Sequence, residues 1–201
     1  LKMKKLLYVK GSPRTNRSRS MGAAEAFLTE YCKSNHDVKV EVLDLWQEDL
    51  PEFTETAATA RYKVSQEIEM SEAETEAWGK VRAFAENFKQ YDEYLFAVPM
   101  WNFSLPYRVK YFIDIVTQPN LTFEVTDVGY KGLLENKKAY VVFSSHGAYD
   151  APELAALDHC RPYFRLFLGF IGITDISEIN LQGAEDQSDQ IKAEIERILS
   201  A

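Results

Sequence analysis

Cysteine is scarce in this chain, and the two present, Cys32 and Cys160, lie far apart with no CxxC spacing. Neither cysteine nor any of the three histidines, His36, His146 and His159, falls at a metal-ligand spacing, so no metal site is expected. Both cysteines read as inert helix-face residues. Long hydrophobic runs are also lacking, which leaves no candidate for a membrane-spanning helix. The run "LKMKKLLYVKGS" has no small-residue cleavage site after it, so it reads as a first strand rather than a signal peptide. Met3 is taken as the natural start, with Leu1 and Lys2 carried over from elsewhere, and the cytoplasm is the expected compartment. Basic residues are in deficit, 23 Lys and Arg against 31 Asp and Glu, for a formal charge of −8. That balance argues against nucleic acid or an anionic membrane as the main partner. Any anionic ligand must be held by local backbone donors and a few placed cations.

What is present fits one globular domain over 1–201: 46% hydrophobic residues, no repeat and no low-complexity tract. Five short apolar runs are separated by helical patterns. Strands are expected over 5–10, 37–45, 93–99, 137–145 and in "ISEINLQG". The second alternates, which marks it as less fully buried. Between them, helices are expected at 18–33, at 71–90 with Ser71 and Glu74 as a capping box, and from Pro106 onward. Two more are expected, one over 153–172 with a break or kink at Pro162 and a closing one over 186–201. The acidic stretch from Trp46 to about Met70 reads as an irregular excursion.

Strands alternating with helices of this length require crossover connections, hence a parallel sheet with helices on both faces. Ligands bind such sheets at the carboxyl ends of the strands, near the switch point. Three loops with unusual chemistry leave those ends. "GSPRTNRSRS" offers Ser12, Thr15, Asn16, Ser18 and Ser20 with Arg14, Arg17 and Arg19, and opens into a helix, an arrangement suited to a monophosphate. Neither G-x-G-x-x-G nor GK[ST] is present, so it is not a dinucleotide or triphosphate loop. Equally, the loop could be a solvated turn with Ser18 or Ser20 as helix cap. "VPMWNFSLP" puts Pro99, Met100, Trp101 and Phe103 as an apolar wall around Asn102, suited to a flat ring system, or else an aromatic plug in the core. "SSHGAYD" gives Ser144, Ser145, His146 and Gly147, or merely a strand end with a glycine turn. Together they describe a phosphate pocket and a ring pocket at one end of one sheet.

With these motifs the sequence resembles the FMN-dependent NADH azoreductases, flavodoxin-like oxidoreductases allied to the NAD(P)H:quinone reductases. The resemblance spans nearly the whole chain and is most specific in "VPMWNFSLPYRVKYFID", "LTFEVTDVGYKGLLENKKAYVV" and "PYFRLFLGFIGITDI". It implies the flavodoxin-like strand order 2-1-3-4-5 and FMN as cofactor. By similarity FMN would be held by Ser12; by Ser18, Arg19 and Ser20; by Pro99, Met100, Trp101, Asn102 and Phe103; and by Ser144, Ser145, His146 and Gly147. Ser145 and His146 depart from the family's Arg-Gly at those places, which bears on substrate preference and flavin tuning; His146 is a candidate for electron or proton transfer. The resemblance implies a ping-pong enzyme with NADH or NADPH as donor and a quinone or aromatic azo compound as acceptor. Phe103, Phe123 and Phe170, with Tyr149, would line the acceptor pocket, their alternative being core packing. It also implies a homodimer. A flavodoxin-like electron carrier, a related FMN reductase with another acceptor, and a fold that has lost its cofactor remain as alternatives. A phosphoacceptor signalling domain does not fit, because the carboxylates it needs are replaced by Gly11-Ser12 and Pro99-Met100.

Overall fold

The computed structural model describes residues 3–200. The five expected strands form one parallel sheet. They are β1 (Lys4–Lys10), β2 (Val38–Asp44), β3 (Glu93–Pro99) and, after a small hairpin of β4 (Phe123–Thr126) and β5 (Gly129–Gly132), β6 (Lys138–Ser144) and β7 (Asp175–Leu181). Their spatial order is β2-β1-β3-β6-β7, the flavodoxin-like order. Residues 4, 93, 138 and 175 open their strands at the amino end of the sheet, with Leu6 opposite Glu93, Glu93 opposite Lys138 and Lys138 opposite Asp175.

β3 is buried on both faces and reads as a continuous apolar run for that reason. Tyr94, Phe96 and Val98 point into one core layer with Phe88, Phe112 and Phe164, while Leu95 and Ala97 point into the other with Phe27, Tyr31 and Tyr140. β2 is the half-buried edge strand that its alternation predicts. The buried Glu93 is satisfied by the Lys4 ammonium at 2.8 Å and by the Tyr31 hydroxyl.

The layers are covered by α1 (Arg19–Ser34), α2 (Glu55–Ser65), α3 (Glu72–Phe88), α4 (Tyr107–Val116), α5 (Pro152–Ala155), α6 (Arg161–Phe170) and α7 (Ser188–Leu199). Ser18 caps α1, and Ser71 with Glu74 forms the expected capping box on α3. Ala201, placed by the sequence in the closing helix, and Leu1 and Lys2 lie outside the described residues.

Three expectations are corrected. The 46–70 stretch holds α2, capped by Thr54 and buried only through Ala57 and Ala60. Two alanines make too faint a stripe to show as periodicity, and α2 is held instead by packing on α3 and a 2.7 Å Lys63–Glu74 ion pair. The 153–172 helix is two helices, and the break is not at Pro162. The Asp158 carboxylate accepts the backbone N–H groups of Cys160 (2.9 Å) and Arg161 (3.0 Å) and so opens α6, leaving Pro162 in a first turn where its missing donor costs nothing. Third, the β4–β5 hairpin occupies a stretch with no expected element. Its strands are four residues each, below the length at which alternation is legible.

That hairpin is docked by close backbone approach. A Cβ on Gly132 would stand 2.1 Å from the Gly172 nitrogen, and Gly172 itself has φ +100°. The Leu134 N–H donates to the Ile171 carbonyl at 2.8 Å across the same junction.

Candidate functional site

The loops after β1, β3 and β6 meet at the carboxyl end of the sheet, where the strand order places the switch point. At the first, Gly11 admits no side chain: a Cβ there would lie 2.5 Å from the Ala97 carbonyl oxygen, while the Gly11 N–H donates to that oxygen at 3.0 Å. This contact brings the end of β1 against β3. Ser12 follows, buried, its hydroxyl accepting from the Arg14 N–H at 3.2 Å. Ser18 Oγ accepts from the Met21 N–H at 3.4 Å, and Ser20, fully buried beneath it, lies 3.3 Å away Oγ to Oγ. The N-terminal N–H groups of α1 therefore face the loop with hydroxyls around them.

The second loop is a tight turn. Trp101 and Ser104 exchange both backbone hydrogen bonds, at 2.8 and 2.9 Å, with Asn102 and Phe103 between them at φ +46° and +68°. Two successive left-handed residues make a type I′ geometry, and in a phenylalanine it is strained. The strain is held from both sides. The Met100 N–H donates to the Ser144 carbonyl (2.8 Å) and the His159 N–H to the Phe103 carbonyl (2.9 Å). Trp101, Asn102 and Phe103 are exposed as a result, so this segment is not a core plug.

In the third loop, Ser145 donates its N–H to the Leu181 carbonyl and its hydroxyl to the Gly147 carbonyl, both at 2.8 Å. His146 is exposed, and Gly147 lies flat against the Tyr149 ring, which a Cβ would meet at 2.9 Å.

A cleft of about 370 Å³ is lined by Ser12, Arg14, Arg17, Ser18, Arg19, Pro99, Met100, Trp101, Ser144, Ser145 and His146. Hydroxyls and guanidinium groups from one loop thus share a space with an apolar wall from another and polar groups from the third. Ser20, Asn102, Phe103 and Gly147 do not line it; they shape the backbone that does. The four expected acceptor-pocket aromatics fall into two groups. Phe103 meets Tyr149 edge-on at 6.4 Å, while Phe123 packs on Phe170 at 4.7 Å together with Tyr130 of the hairpin.

Several contributors were not singled out by sequence. Trp46 donates its indole N–H to the Gly11 carbonyl at 3.1 Å and packs against Trp101 and Tyr107, at 5.5 and 5.2 Å between ring centres. Its position just past β2 was the available signal. A second, larger cavity of about 780 Å³ adjoins Trp101 and runs between α4 and α6, lined by Leu105, Tyr107, Tyr163 and Leu166 among others. Tyr107 and Leu166 are each 66% exposed there. Cys160 is buried, and burial pushes its thiol up to about 12, consistent with an inert role. Among the described residues no cluster could hold a metal ion, and no helix is long and apolar enough to cross a membrane.

Residues 4–201 match the family described as "Flavodoxin-like fold". An FMN-dependent NADH:quinone oxidoreductase of Nitratidesulfovibrio vulgaris is 41% identical over 197 residues, covering 96% of this chain and 94% of that one. Another, from Desulfotalea psychrophila, is 39% identical, covering 90% and 85%. Among solved structures, an azoreductase of Bacillus anthracis superposes with a TM-score of 0.84 at 26% identity, covering 98% of this chain and 96% of that one.

Proposed function

We propose, for a chain that belongs to the flavodoxin-like family of FMN-dependent NADH:quinone oxidoreductases, that the cleft at the ends of β1, β3 and β6 holds FMN and that the protein oxidises NADH and reduces a quinone. The observation that carries this reading is the single cleft shared by Ser12, Ser18, Arg14 and Arg17 with Met100 and Trp101. A phosphate and a flat ring joined by a ribityl chain need both kinds of surface within one short groove. The residues present fit that need. The hydroxyls and α1 amides suit a phosphate, the Pro99–Trp101 wall suits one side of a ring, and Gly11 lets β1 end close beside β3.

Bound there, FMN would supply the redox chemistry, namely acceptance of hydride from NADH or NADPH and two-electron reduction of a quinone or aromatic azo compound in a ping-pong cycle. The chain's own residues bind, orient and exclude. The type I′ turn presents Trp101 and Phe103 outward as rigid flat surfaces. Ser144 and Ser145 bring the third loop beside the ring wall, and His146, exposed and lining the cleft, would exchange a proton with an acceptor. Phe103 and Tyr149 form the acceptor-side aromatic pair nearest that rim, and Phe123 and Phe170 serve as a second aromatic surface on the hairpin side.

The enzyme is read as a homodimer of one flavin-binding domain per chain, acting in the cytoplasm. The exposed Tyr107 and Leu166 on either side of one apolar cavity support the dimer, since two large apolar side chains left in water along α4 and α6 favour a second surface over them.

The test is a visible absorption spectrum of the purified protein before and after anaerobic NADH, with the released cofactor identified. A flavin spectrum that bleaches with NADH and returns on adding a quinone, with no partner protein present, supports enzyme over electron carrier. A protein that stays colourless with added FMN refutes the reading.

A further inference from the structure

The first loop carries three arginines in a chain of net charge −8, and they are not equivalent. Arg14 and Arg17 are exposed, line the cleft, and their guanidinium groups have no hydrogen-bonded or ionic partner among the described residues. Arg19 is committed elsewhere. Its guanidinium donates to the Ser145 carbonyl at 3.2 Å, to the Gly183 carbonyl and to the Gln187 side-chain oxygen. These three acceptors belong to the loop after β6 and the loop joining β7 to α7.

From this geometry we infer that Arg19 is a positioning residue that straps the 144–147 loop into place, and that Arg14 and Arg17 supply the cationic charge facing the cofactor's phosphate. The inference rests on the FMN reading of the cleft. The resemblance implies that Arg19 holds FMN; here that contact falls to its backbone and to the other N–H groups of α1, while its side chain serves the 144–147 loop.

The physical case has two parts. A guanidinium has five donors in a fixed fork and no way to lose its charge, so one that already satisfies three oxygens in two loops has little left for a fourth partner. Gly183, at φ +80°, turns its loop back toward α1, and Ser145 follows directly on the strand end that accepts the Met100 N–H. Releasing Arg19 therefore frees the loop beside the ring wall. Lysine would not replace it, because a single ammonium cannot reach all three acceptors in one plane.

The experiment compares FMN with riboflavin, which has the same ring system and no phosphate, by fluorescence titration of the protein stripped of flavin. The ratio of the two dissociation constants reads the phosphate site alone. Arg14→Gln with Arg17→Gln is expected to shrink that ratio roughly ten-fold or more, the worth of a charge-assisted hydrogen bond, and to leave riboflavin binding unchanged. Arg19→Gln, and Arg19→Lys with it, is expected to weaken both flavins together, keep the ratio, and alter the visible circular dichroism of the bound ring, which the double variant does not. An Arg19→Gln variant that loses only FMN affinity, or one that binds both flavins as tightly as before, overturns the assignment. So does a double variant with an unchanged ratio. A starting protein that takes up neither flavin fails differently, because it removes the FMN reading itself.

Discussion

Trp46 and Trp101 lie 5.5 Å apart, ring centre to ring centre, and the Trp46 indole N–H donates to the Gly11 carbonyl at 3.1 Å. One side chain from the end of the edge strand thus braces both the loop after β1 and the turn after β3. Trp46→Phe keeps the ring contact and loses the hydrogen bond, a loss worth about 1 kcal/mol. Trp46→Ala removes both and should weaken FMN binding further by loosening Trp101. Flavin titration of the two variants checks this, and equal affinities in both would show that the ring contact contributes nothing.

Gly132→Ala should undock the β4–β5 hairpin. The new Cβ would meet Gly172 backbone at 2.1 Å, and backbone cannot swing aside as a side-chain tip can. Overpacking of this kind costs typically 1–3 kcal/mol, so a chemical denaturation midpoint indistinguishable from that of the unaltered chain would contradict the close approach.

At Phe103 stability and function should part. Glycine tolerates φ +68° without strain, which offsets its extra freedom in the unfolded chain, so Phe103→Gly should change stability by no more than about 1 kcal/mol. Acceptor turnover should nonetheless fall, because the exposed ring that faces Tyr149 is gone. Parallel thermal melts and quinone assays separate the two effects; a strongly destabilised Phe103→Gly would mean the ring is a packing residue.

Alkaline pH should destabilise the fold through its tyrosines. Burial pushes Tyr8, Tyr31, Tyr94 and Tyr140 well above the ordinary phenol value of 10.0, with the Glu93 hydrogen bond adding to the shift at Tyr31. Burial and the Glu41 carboxylate at 2.6 Å push Tyr91 up to about 12. Above pH 10 the unfolded chain loses these protons first, so it binds fewer than the native state and stability falls as pH rises. The contribution is fully present below about pH 10 and disappears through the folded values. Denaturation midpoints that fail to drop between about pH 9 and about pH 11 would refute it.

The sequence by itself determined the five-stranded parallel sheet and the meeting of three loops at one end. Those features rest on local signals: apolar runs such as 93–99, capping residues such as Ser18 and Ser71, and the rule that strand–helix alternation forces crossovers. Only the tertiary structure decided which way long side chains turn and which weak elements form. α2 exists because α3 lies beside it, and α6 starts where Asp158 accepts two N–H groups rather than where a proline stands. The three arginines of one loop look alike in a string of letters. They differ because Gly183 and Gln187, more than 160 positions away, fold back to claim the Arg19 guanidinium, while those of the other two have no partner among the described residues. Hydrogen-bond partners at that separation carry no signature in local composition, since backbone carbonyls accept whatever donor the fold brings to them.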